Sequence, residues 1–234
     1  MSYYQNQLTV SDKLFGQTSL VGGQATVIKQ TYGFLTLSVL AAMMGGYFGA
    51  TTPSVVQFFS GWLGWILALV IMNAIPFVAM ALRHNPVLGL TALVVDGFVA
   101  GLVLAPLLYM ATVVSPDIVW SAMLITAIVF FSVTGYVMTS KRVFSAPRGL
   151  GVGIFFSLIG VAVLNGFLQL GFLGTLLSIG IGIFGVFVLV FATSDVLNNP
   201  EADSPVPGAL MLFSGLFNVF VSVLSLLLSF GGDD

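Results

Sequence analysis

Long apolar runs separated by short polar stretches make up the chain after its first thirty residues. A helix needs about 20 residues to cross a hydrocarbon core of about 30 Å, and each run is close to that length. Because backbone groups in lipid must be paired within their own segment, we expect transmembrane helices. Seven spans are predicted, at about residues 33–51, 61–82, 87–113, 118–139, 150–168, 170–191 and 206–230.

The polar segments between these runs predict one tail and one domain. Residues 1–30 are polar and lack apolar periodicity, so we expect a flexible cytoplasmic N-terminal tail. Residues 31–234 contain every apolar run and no Pro/Gly-rich or charged linker, which predicts a single seven-helix transmembrane domain. The connection at residues 168–171 is so short that the fifth and sixth spans should form an antiparallel hairpin.

All the positive charges fall on one side of the predicted membrane. Lys and Arg in short loops stay on the cytoplasmic side during insertion, so we expect a cytoplasmic N-terminus and, after seven spans, a C-terminus outside. Trp62, Trp65 and Trp120 then lie at the outer ends of their spans, where amphipathic rings prefer the interface. The six charges are Lys13, Lys29, Arg83, Lys141, Arg142 and Arg148.

The composition agrees with an all-α polytopic membrane protein. Hydrophobic residues make up 58% of the chain and charged residues 6%, and the mean hydropathy is +1.12. A net charge of −2 provides no basic face for nucleic acid. The absence of cysteine from the sequence excludes disulfides, thiol catalysis and cysteine-ligated metal.

The seventh span carries a polar stripe at helical spacing. Its members recur at intervals of four, four, three and four residues, so they share one helical face. Two interpretations remain open: a central helix that lines a polar cavity, or a packing seam. The stripe consists of Ser214, Asn218, Ser222, Ser225 and Ser229.

Small residues follow a similar spacing in the fifth and sixth spans. Small residues let two helix backbones approach closely, so both stripes are interpreted as packing seams. The stripes are Gly149, Gly153, Ser157 and Gly160 in the fifth span, and Gly174, Ser178, Gly182, Gly185 and Ala192 in the sixth.

An acidic residue is predicted near the middle of the membrane. Asp96, Asn73 and Asn218 each lie about ten to twelve residues into their spans, so at ~1.5 Å per residue they share a depth. An acid at that depth usually faces the bundle interior or water. Asp96 is therefore the candidate proton or cation site, and a neutral structural acid in a helix contact is the alternative.

Other candidate chemistry lies at the cytoplasmic ends of the spans. Asp195, Glu201 and Asp203 form an acidic cluster, which is either a solvated loop or a weak calcium or pH-sensitive site. The single histidine, His84, has no second ligand at metal-binding spacing. Because no histidine falls within a span, an intramembrane Ser-His hydrolase is disfavoured.

Three stretches resemble the Bax inhibitor-1 family, especially its bacterial YccA-like branch. They are residues 191–195 (FATSD) at the end of span six, residues 218–225 (NVFVSVLS) in span seven, and residues 104–106 (LAP) after Gly101 in span three. The likeness covers about residues 29–230. It implies a seven-helix bundle with the last helix central and the N-terminus cytoplasmic.

The resemblance also implies two functions. Some family members are pH-dependent calcium leaks, and members of the YccA-like branch are modulators and substrates of the membrane AAA protease FtsH. The calcium-leak members carry an acid pair whose matching positions here are Ala192 and Gly215, neither of which is a carboxylate. Asp195 lies one helical turn beyond Ala192, where it would replace one member of that pair.

The expected function is therefore that of a non-enzymatic protein of the bacterial inner membrane, without a cofactor, that modulates membrane-protein turnover through FtsH. The alternative is a pH-dependent leak for calcium or protons through the bundle. The candidate pore residues are Asp96, Asn73, Asn218, Asp195, Ser214 and Ser222.

Overall fold

The computed structural model describes the backbone over residues 2–140, 142–145, 148–168, 171–198 and 204–231. Side chains are described within these ranges from residue 23 onward, except at 148–150, 152, 155 and 167–168. The described elements are all helices, which confirms the all-α class. They are α1 (Ser2–Thr51), α2 (Pro53–Ser60), α3 (Trp62–Ala81), α4 (Pro86–Val103), α5 (Ala105–Val114), α6 (Pro116–Thr139), α7 (Arg148–Leu168), α8 (Gly171–Asn198) and α9 (Pro205–Gly231).

Six helical segments in the described part of the chain are long and apolar enough to cross a membrane. In α7 the described apolar stretch, Phe156–Gly166, is shorter than a span. The polytopic architecture is thus confirmed, and the seventh span at residues 150–168 stays a prediction. The six segments are Gly23–Thr51, Trp62–Ala81, Pro86–Val103, Pro116–Thr139, Gly171–Asn198 and Pro205–Gly231.

Two predicted spans are parts of longer helices. α1 runs from Ser2 to Thr51 and so includes the predicted N-terminal tail as well as the first span, and α8 continues to Asn198 rather than ending near 191. The extension of α8 is packed inside the bundle, since Thr193, Ser194 and Val196 are buried.

The third predicted span, residues 87–113, is two helices and not one. α4 begins after Asn85, whose side-chain oxygen accepts hydrogen bonds from the backbone N–H groups of Val87 and Leu88. It ends at Val103, and after Leu104 the helix α5 begins with Pro106 in its first turn. Proline lacks a backbone N–H and its ring clashes with the preceding turn, so a continuous helix is interrupted there.

Glycines bring α1 and α4 into backbone contact. A Cβ atom added to Gly97 would collide with the carbonyl oxygen of Ser38, and one added to Gly101 would collide with that of Ala42. On the facing helix, Gly45 has the same relation to the carbonyl oxygen of Phe98. This is small-residue packing of the kind expected in membranes, and the sequence analysis missed it.

The two predicted small-residue seams have different outcomes. In α8, Gly182 faces the Ser222 side chain of α9 and Gly185 lies against the backbone of Gly215, so the sixth-span stripe does pack against a helix. In α7, a Cβ added to Gly153 or Gly160 would meet nothing within 4 Å. The fifth-span prediction is wrong for these two glycines because no described helix covers that face, and the side chain of Gly149 lies outside the described residues.

The last helix, α9, contacts α1, α3, α4, α5, α6 and α8. Its first turns pack with α3 and α4, its middle packs with α1, α4 and α8, and its last turns pack with α5 and α6. We call these three groups the first, second and third levels along α9. The buried residues of α9 are Val206 and Ala209 at the first level, Leu212, Phe213 and Val219 at the second, and Leu224 at the third.

Candidate functional site

Asp96 is buried in the bundle, with 4% of its surface exposed. It lies on α4 between Leu93, which packs at the first level of α9, and Ala100, which packs at the second. Both neighbours are fully buried, so Asp96 is on the inward face of α4. An acid in this position is costly to ionise without a partner or water.

The surroundings of Asp96 include the tight contact between α1 and α4. The Ser38 hydroxyl, which is buried, donates to the carbonyl oxygen of Leu93 at 3.3 Å and to that of Phe34 at 3.1 Å. Gly97, the residue after Asp96, lies directly against the Ser38 backbone. The acid therefore lies next to a close contact between the backbones of α1 and α4.

The two asparagines of the predicted polar layer, Asn73 and Asn218, are both half-buried. The Asn73 amide donates to the carbonyl oxygen of Leu69 in its own helix at 2.7 Å. A common depth for Asp96, Asn73 and Asn218, and contact of either amide with Asp96, stay predictions.

The polar stripe of α9 has two environments. Ser222 is buried and its hydroxyl donates to the carbonyl oxygen of Ser178 in α8 at 2.6 Å, whereas Ser214 and Ser229 are exposed. A four-residue spacing advances about 40° around a helix of 3.6 residues per turn, so Ser214 is about 80° away from Ser222. The stripe therefore packs against α8 at Ser222 and is exposed at Ser214.

The two positions that match the family's acid pair are buried in the contact between α8 and α9. Ala192 is 1% exposed and belongs to the apolar second-level group. A Cβ on Gly215 would lie 2.9 Å from Cγ of Leu189 and 3.0 Å from the carbonyl oxygen of Gly185. The backbones are thus too close for a carboxylate at Gly215.

Asp195 does not extend this pair into the bundle. It is exposed, whereas its neighbours Ser194 and Val196 are buried. The other two acids of the predicted cytoplasmic cluster, Glu201 and Asp203, lie outside the described residues. Within the described ranges, no group of three His, Cys, Asp or Glu side chains is placed to hold a metal ion.

A hydrogen-bonded network at the C-terminal end of α8 was missed from the sequence. The backbone N–H of Phe144 donates to the Ser194 hydroxyl oxygen at 2.8 Å, and the Asn198 amide donates to the Ser194 carbonyl oxygen at 2.9 Å. The Gln24 amide donates to the carbonyl oxygen of Leu197 at 3.2 Å. The FATSD stretch was noticed only for its resemblance, although its Thr-Ser pair inside a helix was a signal for a buried polar contact.

The fold and these contacts define an all-helical, multi-pass membrane protein whose helices are joined by glycine contacts. A family model described as "Inhibitor of apoptosis-promoting Bax1" matches residues 24–232. The chain therefore belongs to the Bax inhibitor-1 family, as the sequence resemblance predicted.

Relatives in several bacteria match most of the chain. The Escherichia coli K12 protein named "Modulator of FtsH protease YccA" is 31% identical over 86% of this chain and 89% of its own length. An uncharacterized protein of Neisseria meningitidis serogroup A is 29% identical over 94% of this chain and 98% of its own. Another, from Pseudomonas aeruginosa, is 26% identical over 89% and 91%.

Proposed function

We propose that this protein is a non-enzymatic, multi-pass protein of the bacterial inner membrane that modulates membrane-protein turnover through a membrane AAA protease of the FtsH type. The observation that carries the proposal is the 31% identity, over 86% of the chain, to a protein named as an FtsH modulator. A second YccA relative is named an inner membrane protein. Seven spans, a cytoplasmic N-terminus and an outer C-terminus belong to the same proposal.

Hydrogen bonds between helices support a stable bundle. Buried hydroxyls at helix contacts donate to backbone carbonyls of neighbouring segments: Thr31 to Pro205 at 3.4 Å, Ser38 to Leu93 and Ser222 to Ser178. Hydrogen bonds of this kind stabilise helix association in membranes. The contacts of α9 with six other helices support a central last helix.

Reconstitution tests the proposal directly. Purified protein is added to an FtsH-type protease in nanodiscs, and the degradation rate of a membrane-protein substrate is measured. We expect the rate to change in proportion to the amount of protein added, and the two proteins to co-purify. A rate equal to that with empty nanodiscs, together with no co-purification, would contradict the proposal.

The N-terminal residues supply a second test. We propose that a protease of this class begins degradation at a terminal segment, and that residues 2–20, the beginning of α1, provide it. Deleting residues 2–20 should lengthen the half-life of the chain in cells, while a Gly/Ser segment of equal length in their place should restore degradation. The deletion ends before Gln24 because that side chain donates to α8. An unchanged half-life after deletion would argue against this role.

A pH-dependent cation leak is the second candidate function, and the buried Asp96 carboxyl favours it. If Asp96 carries protons or cations, Asp96→Asn keeps the shape of the side chain but abolishes the acid-sensitive part of calcium or proton flux in proteoliposomes. Asp117→Asn is the control, because Asp117 is an exposed acid in the first turn of α6. Wild-type flux in Asp96→Asn at every pH would exclude the Asp96 pathway.

A further inference from the structure

The last helix contacts six other helices, yet one face of its first half is open. Met211 is 42% exposed, Ser214 is exposed and Asn218 is half-buried. At about 100° per residue, these three side chains lie within about 60° of one another. On one side of them Leu210 packs with α3, and on the other side Gly215 packs with α8. The open face of α9 therefore lies between α3 and α8.

One hydrogen bond sets the register between α9 and α3. The Ser204 hydroxyl donates to the carbonyl oxygen of Arg83, in the turn after α3, at 2.7 Å. Ala79 packs with the first turns of α9, so the two helices run in opposite directions from this bond. Asn73 is ten residues before Arg83 and Ser214 is ten residues after Ser204, about 15 Å along each helix. Asn73 and Ser214 therefore lie at the same level.

The side of α3 that borders the open face carries Asn73 and Met80. These two residues are about 20° apart around α3, and Trp65 lies within about 80° of both. A Cβ atom on Gly166 of α7 would lie 3.8 Å from the Trp65 ring, so this side of α3 faces α7, which packs on α8. The open face is therefore the floor of a groove between α3 and the α7–α8 pair. We call it the α9 groove, and its residues are Asn73, Met80, Met211, Ser214 and Asn218.

The α9 groove is closed toward the end of α9 and open toward its start. Trp65 lies 18 residues before Arg83, which is the level of Ser222, 18 residues after Ser204. At that level Trp65 approaches α7, and Ser222 is buried against α8. Exposure of the α9 face is highest below this level, at Met211 and Ser214. A ligand of the groove would therefore enter sideways from the bilayer, beside the first half of α9.

The α9 groove has a polar centre and an apolar rim. Asn73, Ser214 and Asn218 supply amide and hydroxyl groups, whereas Met80 and Met211 are apolar and 37% and 42% exposed. Lipid tails offer no hydrogen bonds, so polar side chains within a bilayer usually pair with protein. Methionine side chains adapt their shape and are common on surfaces that bind helices. This pattern fits an apolar helix that carries one hydrogen-bonding side chain.

We infer that the α9 groove binds a transmembrane helix of a partner protein, with a hydrogen-bonding side chain of that helix placed between Asn73 and Ser214. Hydrogen bonds and close packing of this kind join helices in membranes. The inference rests on the proposed function, because the groove is the surface through which the protein would contact a membrane protease of the FtsH type.

Binding to a purified FtsH-type protease in nanodiscs tests the groove. Ser214→Phe places a ring in the groove and should weaken binding by at least about tenfold. Ser229→Phe is the matched control, because Ser229 is also an exposed serine of α9 but lies beyond the closed end at Ser222. The control should bind like the wild-type protein, and melting temperatures verify that both variants fold. Equal affinity of Ser214→Phe and the wild-type protein would overturn the inference.

A milder pair of variants tests the hydrogen bond itself. Ser214→Val removes the hydroxyl and should weaken binding about threefold, the average for one hydrogen bond between helices in a membrane. Ser214→Thr keeps the hydroxyl at nearly the same side-chain volume and should bind more tightly than Ser214→Val. Equal affinities of the two variants would overturn the inference, because the groove would not recognise a hydrogen-bonding helix.

Photocrosslinking identifies what occupies the groove. A diazirine amino acid of methionine-like length replaces Met211 in the groove or, as the control, Met44, which is 68% exposed on α1. In nanodiscs with the protease, we expect crosslinks from position 211 to a transmembrane helix of the protease and crosslinks from position 44 to lipid. Crosslinks from position 211 to lipid alone, or to a second copy of this chain, would overturn the inference.

Degradation of a membrane-protein substrate separates this inference from the proposed function. If the wild-type protein neither binds the protease nor changes the degradation rate, both are wrong. If the wild-type protein changes the rate and Ser214→Phe changes it equally, the proposed function stands and the groove inference is wrong. We expect the wild-type protein and Ser229→Phe to change the rate, and Ser214→Phe to leave it close to that with empty nanodiscs.

Discussion

The glycines of α4 and α7 have similar spacing but opposite surroundings. Gly97 and Gly101 in α4 leave no space for a methyl group against α1, whereas Gly153 and Gly160 in α7 face nothing within 4 Å among the described residues. Of these two helices, spacing predicted a seam only for α7, where the described glycines Gly153 and Gly160 make no such contact. A small-residue stripe therefore allows close packing of helix backbones, but the contact forms only where a partner helix lies against the stripe.

The largest expected effect is at the contact between α1 and α4. Gly101→Leu would force a side chain into the backbone of Ala42 and Gly46, and we expect a loss of more than about 3 kcal/mol of unfolding free energy. Gly160→Leu is the matched control, and its effect should stay within about 0.5 kcal/mol. Denaturant unfolding in detergent measures both variants. Similar losses in the two would show that the α7 face is also packed.

Replacing glycine by alanine should destabilise the protein where the glycine is packed against another helix and stabilise it where the glycine is open. Gly215→Ala pushes a methyl group against Leu189 and the Gly185 carbonyl oxygen, and should destabilise by about 1–3 kcal/mol. Gly160→Ala meets no such obstacle and should stabilise its helix by roughly 0.5–1 kcal/mol. Melting temperatures of the two alanine variants give the comparison. Stabilisation by Gly215→Ala would mean that α8 and α9 can separate, and that the acid-pair position can open.

The smallest effect is expected at the serines. Ser222→Ala removes the hydrogen bond from Ser222 to the Ser178 carbonyl oxygen, which joins α9 to α8. We expect the unfolding free energy to fall by about 0.6 kcal/mol, the average for such bonds in membranes. Ser157→Ala in α7 removes only a bond within its own helix, from an exposed hydroxyl, and should have no measurable effect. Unfolding of the two variants under identical conditions tests the difference. Equal losses of unfolding free energy in the two variants would mean that the hydrogen bond between α9 and α8 adds no stability beyond that of a bond within one helix.

Resemblance and geometry contributed different parts of the site. The sequence located Ala192 and Gly215 as positions without carboxylates, and the structure shows why an acid at Gly215 would require α8 and α9 to move apart. Asp96 was predicted from its depth alone, and its burial agrees with that prediction. The network around Ser194 was not predicted, because two of its bonds join residues 50 and 173 positions apart in the sequence.

The sequence by itself determined that the chain consists of apolar helices long enough to span a membrane, where several of these helices begin and end, and that the third predicted span contains an acid. These properties follow from run length and polarity, which the bilayer constrains one segment at a time. Only the tertiary structure decided which glycines carry a contact, that α4 ends at Val103, and that Ser222 is buried while Ser214 is exposed. Lipid tails are as apolar as leucine, so hydrophobicity does not select helix partners in a membrane. The selection depends on shape and hydrogen bonds between residues that are distant in the chain.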